Sequence, residues 1–123
     1  MAERGFIRGI GPLEGVFLGL TLLLAGIHLY VGLFAPAVPD QQATQFLVIA
    51  LAFVAGFLVR LTPFWRPVLY LLGVGFAVFL GGLWLLGGVE LFYTGIITGV
   101  VATVFIILAL YLFIREELRA TAA

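Results

Sequence analysis

Residues 67–89, PVLYLLGVGFAVFLGGLWLLGGV, contain no charged side chain, and three further runs of the chain share this property. The other runs cover residues 15–39, 41–59 and 91–114. A helix needs about 20 apolar residues to cross the hydrocarbon core of a bilayer. The four runs therefore predict four transmembrane helices joined by short connections, over about 13–35, 43–61, 67–87 and 91–114.

The composition is typical of a membrane protein rather than of a soluble domain. Of the 123 residues, 64% are hydrophobic and 10% are charged. Soluble domains contain about 25% charged residues. So few polar side chains cannot cover a globule of this size, so the remaining apolar surface must face lipid. The short connections cannot bury a core of their own, which predicts a single transmembrane domain over residues 1–123.

All six cationic residues are arginines, and they lie on one side of the predicted membrane: Arg4, Arg8, Arg60, Arg66, Arg115 and Arg119. The two connections on the other side carry only Asp40 and Glu90. Cytoplasmic loops retain an excess of Lys and Arg. We therefore predict an all-α, antiparallel up-down-up-down four-helix bundle in the cell (plasma) membrane. Both termini would be cytoplasmic, with outer loops at 36–42 and 88–90.

Several classes of function are disfavoured by what the sequence lacks. The formal net charge is zero and there is no basic block, which argues against a nucleic-acid partner. Cysteine is absent, which excludes disulfides, thiolate metal sites and iron–sulfur clusters. No nucleophile–base pair, phosphate loop or metal-ligand spacing is present. We therefore expect a non-enzymatic protein with no cofactor and no metal.

Two of the four runs have alternative interpretations. The first, with Arg8 before it and Ala35-Pro36-Ala37 at its end, imitates a secretory signal, but it is much longer than the 7–15 residues of a signal core. The second run is the shortest and could be re-entrant. Its flanking residues of opposite charge, Asp40 and Arg60, favour a full crossing.

Small residues recur at four-residue spacing in every predicted span. Helices in lipid associate through close van der Waals approach, which small residues permit. We predict that these positions pack the helices within one bundle, with a homodimer face as the alternative. The glycines concerned are Gly15, Gly19, Gly56, Gly73, Gly81, Gly95 and Gly99.

His28 is the only histidine and the only ionisable residue well inside a span, in its predicted outer half. An ionisable residue within the membrane is a functional hypothesis by default. Three functional roles for His28 follow from this. It could ligate a haem, with a dimer supplying the two axial histidines; it could relay a proton; or it could form a loose cation site with Asp40 and Glu90. The simpler interpretation is a neutral ring that donates an N–H to a carbonyl or hydroxyl on a neighbouring helix.

Other polar residues give weaker indications. The hydroxyls of Thr94, Thr98 and Thr103 lie in span four, where threonine usually bonds to a carbonyl of its own helix. The segment 115–119 is predicted to be a solvated helix end with internal charge pairing, and Tyr70 to be an interfacial aromatic residue. The full set of ligand or proton-relay candidates is His28, Glu14, Glu90, Thr94 and Thr98.

Glu14 and the stretch Gly73-Val74-Gly75 together resemble the small multidrug resistance transporters. These are proteins of four short helices that bind cationic drugs through a glutamate in the first span. The resemblance implies a transport role for Glu14. In those transporters the glutamate lies deep in the span, whereas Glu14 lies beside Pro12 at the predicted inner edge.

A broader resemblance covers most of the chain. Four stretches carry it: Gly26-Ile27-His28-Leu29-Tyr30-Val31-Gly32, Phe53-Val54-Ala55-Gly56, Arg66-Pro67-Val68-Leu69-Tyr70-Leu71-Leu72-Gly73 and Leu110-Tyr111-Leu112-Phe113-Ile114-Arg115-Glu116. They resemble uncharacterised small four-span membrane proteins of halophilic archaea. The resemblance implies an architecture and a source, and it implies no activity.

The sequence thus predicts a small integral membrane protein embedded in the lipid bilayer. Its expected role is that of an accessory or assembly subunit, with a larger membrane protein or a second copy of itself as partner. One alternative is a small transporter or channel with a polar path through His28 and the threonines of span four. Another is a haem-binding electron carrier that uses His28 across a dimer.

Overall fold

The computed structural model describes residues 11–34, 40–86 and 92–122, and the regular structure in these ranges is helical throughout. The helices are α1 (Pro12–Phe34), α2 (Asp40–Arg60), α3 (Val68–Leu86) and α4 (Phe92–Ala122). All four are long and apolar enough to cross a membrane. The prediction of an all-α chain with four spanning-length helices is confirmed, and the helices suggest a multi-pass membrane protein. Helix α4 extends well past residue 114, where the fourth span was predicted to end.

Local sequence explains where the helices begin and end. Pro12 is the first residue of α1, a position where its missing N–H costs nothing. The side chain of Glu14 accepts a hydrogen bond from the backbone N–H of Gly11 at 3.1 Å, which satisfies a donor that the first turn leaves free. At the other boundary, Thr62 donates to the carbonyl of Val59 at 2.7 Å just before Pro63 stops α2.

Contacts at both ends of the helices establish the up-down-up-down order. At one end, the start of α1 meets the end of α4 through Glu14 and Arg115. At the opposite end, Gly32 near the end of α1 lies against Leu47 near the start of α2, and Trp84 near the end of α3 lies against Gly95 near the start of α4. Consecutive helices are therefore antiparallel. We call the end of the bundle that contains Glu14 and Arg115 the arginine end. We call the end that contains Gly32 and Leu47 the cavity end, because a cavity lies on that side of the bundle.

The four helices do not pack equally against one another. Helix α1 packs against α2 and α4, and α4 packs against α3, whereas α2 and α3 approach each other less closely. A layer of aromatic rings fills the middle of the bundle. Phe17 lies 5.0 Å from Tyr70 and 5.1 Å from Phe105 between ring centroids, and Phe53 lies 5.2 Å from Phe76.

Fewer glycines lie at contacts between helices than the four-residue spacing predicts. Gly73 lies against Phe105 and Gly95 against the ring of Trp84, so both lie between α3 and α4. At five other glycines, the position of an added Cβ has no neighbouring helix of the described chain within 4 Å: Gly15, Gly19, Gly56, Gly81 and Gly99. The described residues therefore give no support for intramolecular packing at these five glycines, and that packing stays a prediction. All five positions are exposed, and Gly81 and Gly99 line the cavity between the helices.

Candidate functional site

The buried carboxylate of Glu14 is held by two partners at the arginine end. Its Oε2 accepts a hydrogen bond from the guanidinium of Arg115 on α4, and its Oε1 accepts the N–H of Gly11. The Glu14 residue is 3% exposed. A buried ion pair whose remaining oxygens are hydrogen-bonded is stable only while both partners stay in place. Cation binding by Glu14, as the transporter resemblance implies, would require this pair to separate.

A second set of polar contacts joins α2, α3 and α4 at the same end. The hydroxyl of Tyr70 accepts a hydrogen bond from Nε of Arg60 at 3.2 Å and donates one to Oε2 of Glu116 at 2.6 Å. Arg60 also lies 3.7 Å from Glu116, measured from Nη2 to Oε2. Tyr70 is 0% exposed. Tyr70, which the sequence predicted to be an interfacial aromatic residue, is buried within the bundle, and its hydroxyl bridges the buried Arg60 and the half-buried Glu116.

We call these five side chains the ionic cluster: Glu14, Arg60, Tyr70, Arg115 and Glu116. The cluster contains at least one side chain from each helix, so it fastens all four at the arginine end. The sequence predicted that the charges of segment 115–119 pair with one another. Instead, Arg115 pairs with α1, and Glu116 contacts residues of α2 and α3.

A cavity of about 510 Å³ lies on the cavity-end side of the aromatic layer, and all four helices line it. It occupies the region where α2 and α3 are not closely packed. Most of its lining is apolar, with Leu24, Ile49 and Leu80 contributed by three different helices. Its polar lining residues are His28, Gln42, Gln45, Trp84, Thr94, Thr98 and Thr103.

His28 is the most buried polar group of this cavity. It is 8% exposed, and its Nδ1 lies 2.7 Å from the carbonyl oxygen of Leu24. Because a carbonyl only accepts hydrogen bonds, Nδ1 carries the proton. The other ring nitrogen, Nε2, has no hydrogen-bond partner within the described parts of the chain. The ring lies between Phe46 and Phe53, at centroid distances of 6.0 and 5.6 Å.

The threonines divide into two groups. The hydroxyl of Thr103 donates to the carbonyl of Gly99 at 2.7 Å, and that of Thr21 donates to Phe17 at 2.8 Å. These two follow the own-helix pattern that membrane threonines usually adopt. Thr94 and Thr98 line the same cavity as His28 and form no hydrogen bond with any described residue. The structure thus brings three of the five candidate residues together.

Sequence reasoning missed Gln42, Gln45 and Trp84, which also line the cavity. The glutamines lie in the first turns of α2, within a run that we treated as uniformly apolar. Two amides one turn apart share a helix face, and that spacing was an available signal. Trp84 lies near the end of α3. Its contact with Gly95 depends on how α3 and α4 pair, which the sequence pattern does not specify.

The remaining predicted groups are placed as follows. Glu90 lies outside the described residues, as do residues 36–39 and 88–89 of the predicted outer loops. The side chain of Asp40 is likewise not described, so the cation site with His28 stays a prediction. Within residues 11–34, 40–86 and 92–122, no group of three or more His, Asp or Glu side chains is placed to hold a metal ion.

A haem shared by two His28 side chains is not favoured by this geometry. Such a haem needs one histidine from each chain to reach the same iron, so the ring must project from the outer surface. His28 instead faces the interior, 8% exposed, and its Nδ1 is bound to its own helix.

The fold and the cavity define a class: a four-helix bundle of membrane-spanning length with a partly open, mostly apolar cavity between its helices. Within that class, the chain belongs to a family of unknown function, DUF7475, whose model matches residues 6–113. No curated protein matches the chain. No solved structure matches it either.

Proposed function

We propose that this protein is a non-enzymatic, multi-pass membrane protein that binds a small, largely apolar molecule in the cavity between its helices. One observation carries the proposal: His28, Thr94 and Thr98 line a single cavity, and Nε2 of His28 has no partner there among the described residues. Ligand sites are usually clefts of about 300–1,000 Å³, with apolar walls and a few polar groups that fix orientation. The cavity, at about 510 Å³, has these features.

The packing supports binding more than conduction. A channel or transporter needs a path from one face of the membrane to the other. The aromatic layer around Phe17, Phe53 and Phe105 lies between the cavity and the arginine end, with ring centroids 5.1 and 6.2 Å apart. The ionic cluster lies beyond that layer. The polar path predicted through His28 therefore ends inside the bundle in this conformation.

The location and orientation of the protein belong to the same proposal. The six-to-zero distribution of arginines supports a cell-membrane protein with both termini cytoplasmic. The arginine end would then face the cytoplasm, and the cavity would lie in the outer half of the bilayer. An accessory or assembly role beside a larger membrane protein is compatible with ligand binding and stays a prediction. The halophilic archaeal source also stays a prediction.

The proposal is tested by filling the cavity. Gly81 lines it, and an added Cβ there meets open space, so Gly81→Leu places an apolar side chain in the cavity without a backbone clash. Gly75 on the same helix also has open space at its Cβ position but does not line the cavity. Gly75→Leu is therefore the matched control, since it makes the same chemical change on the outside of the bundle.

Binding can be read from the tryptophan in the cavity wall. The chain has two tryptophans, so Trp65→Phe leaves Trp84 as the only one. We expect ω-bromoundecanol to quench Trp84 fluorescence saturably in lipid nanodiscs, because bromine quenches on contact. Unbrominated undecanol should compete. Gly81→Leu should weaken binding at least about tenfold, which corresponds to about 1.4 kcal/mol. Equal binding by the Gly81→Leu and Gly75→Leu proteins would contradict the proposal.

A further inference from the structure

We infer that the cavity takes a neutral amphiphile dissolved in the bilayer, whose hydroxyl group donates a hydrogen bond to Nε2 of His28. This inference rests on the proposed function and specifies the chemical class of the ligand. Three features of the described residues support it: the charge of the lining, the hydrogen-bonding state of His28 and the composition of the remaining walls.

The lining argues for a neutral ligand. None of the described residues that line the cavity is Asp, Glu, Lys or Arg. The charged side chains Glu14, Arg60, Arg115 and Glu116 lie at the arginine end, where they contact one another or Tyr70. A charged head group in the cavity would lose its hydration and gain no counter-charge from these walls. An unpaired charge in an apolar interior carries a large free-energy cost.

The state of His28 specifies which polar group the ligand needs. With its proton on Nδ1 and bound to Leu24, the neutral imidazole presents a lone pair at Nε2. An acceptor of this kind pairs with an O–H or N–H donor. A hydroxyl both donates and accepts, so it can also pair with Thr94, Thr98 or the amide of Gln42, which line the same cavity. A buried acceptor that gains a donor contributes favourably to the free energy of binding.

The other walls specify an alkyl or isoprenoid body. Phe46 and Phe53 flank the histidine ring, and Leu80 and Val100 come from α3 and α4. These side chains offer van der Waals contact and no hydrogen bond. The whole site lies within helices of membrane-spanning length. A molecule that partitions into the bilayer reaches such a site without crossing water.

A matched probe series tests the inference in the Trp65→Phe protein. The probes are ω-bromoundecanol, its methyl ether, ω-bromoundecanoate and ω-bromoundecyltrimethylammonium, which share one chain and differ in the head group. We expect the alcohol to bind about two- to tenfold more tightly than the ether, the range that one neutral hydrogen bond supplies. Both ionic probes should bind more weakly than the alcohol.

Two substitutions test whether the tighter binding of the alcohol than of the ether depends on His28. His28→Leu removes the acceptor, so the alcohol and the ether should bind equally. His28→Gln keeps an acceptor oxygen, and it should retain part of the preference for the alcohol. The Gln variant also separates a lost hydrogen bond from a general disturbance of the cavity.

The outcomes distinguish this inference from the proposed function. Tightest binding of the carboxylate or the ammonium would refute a neutral ligand and leave the cavity as a binding site. Equal affinity for alcohol and ether in the Trp65→Phe protein, or a preference that persists in His28→Leu, would refute hydrogen bonding to Nε2. If none of the four probes quenched saturably, the proposed function itself would fail, and this inference with it.

Discussion

At the scale of single residues, the hydroxyl of Tyr70 makes two hydrogen bonds that the phenyl ring of phenylalanine cannot. It accepts from Arg60 on α2 and donates to Glu116 on α4. Arg60 is itself 5% exposed. Buried charged groups are costly unless their hydrogen-bonding capacity is used. The hydroxyl therefore compensates for the burial of Arg60 and the partial burial of Glu116.

Replacement of Tyr70 by Phe should lower the free energy of unfolding by about 1–3 kcal/mol, because it leaves buried charged partners less well satisfied. Reversible unfolding in mixed detergent micelles would measure the change. Tyr93→Phe is the control, since Tyr93 is 82% exposed and its substitution should have little effect. Equal stability of the two variants would show that the Tyr70 bridge contributes nothing.

The residue scale also shows what the sequence could and could not predict. The position of His28 inside a span and a hydrogen bond from its ring were predicted from the sequence. The acceptor was expected on a neighbouring helix, whereas it is the carbonyl of Leu24 on the same helix. The pairing of Glu14 with Arg115 was not predicted, although opposite charges at the same predicted depth were visible in the sequence. Such pairing depends on which helices are neighbours. Hydropathy assigns each helix to the membrane but does not order the helices around the bundle.

At the scale of elements, hydropathy likewise does not show which glycines contact a neighbouring helix. A four-residue spacing places small residues on one face of a helix. In a soluble protein, the polar face would indicate which side is solvent. In lipid both faces are apolar, so the pattern does not show whether a glycine face contacts protein or acyl chains. Gly73 and Gly95 contact protein, whereas Gly15 and Gly56 have no neighbouring helix of the described chain at the Cβ position.

The α3–α4 pair provides a direct test of one such contact. A Cβ at Gly95 would collide with the ring of Trp84, so Gly95→Ala should force the ring to move. In the Trp65→Phe background, the emission maximum of Trp84 should shift. Stability should fall despite the better helix propensity of alanine, which by itself favours Ala by about 0.8–1 kcal/mol.

Gly75→Ala is the control for this substitution because its Cβ position is open. It should leave the Trp84 emission unchanged and keep the propensity gain. An unchanged spectrum in Gly95→Ala would mean that the indole ring does not lie against Gly95.

At the scale of the whole molecule, the orientation in the membrane can be measured without removing any native thiol. The chain has no cysteine, so each introduced cysteine is the only labelling site. With an impermeant maleimide and intact cells, Ala37→Cys in the predicted outer loop should label. Phe64→Cys, in the connection between α2 and α3, should label only after permeabilisation.

The expected result follows from the retention of arginines on the cytoplasmic side. Phe64 is well exposed at 77%, so a failure to label in intact cells would report topology rather than burial. The reverse pattern would invert the orientation, and the cavity would then lie in the inner half of the bilayer.

The one-sided position of the ionic cluster has a mechanical consequence. The chain forms two hairpins, α1–α2 and α3–α4, and both their covalent connection and their charged contacts lie at the arginine end. We therefore expect the two hairpins to separate most easily between α2 and α3, at the end away from these contacts. We expect this separation to be largest where the proposed ligand would sit, so that its uptake and release would break no ion pair.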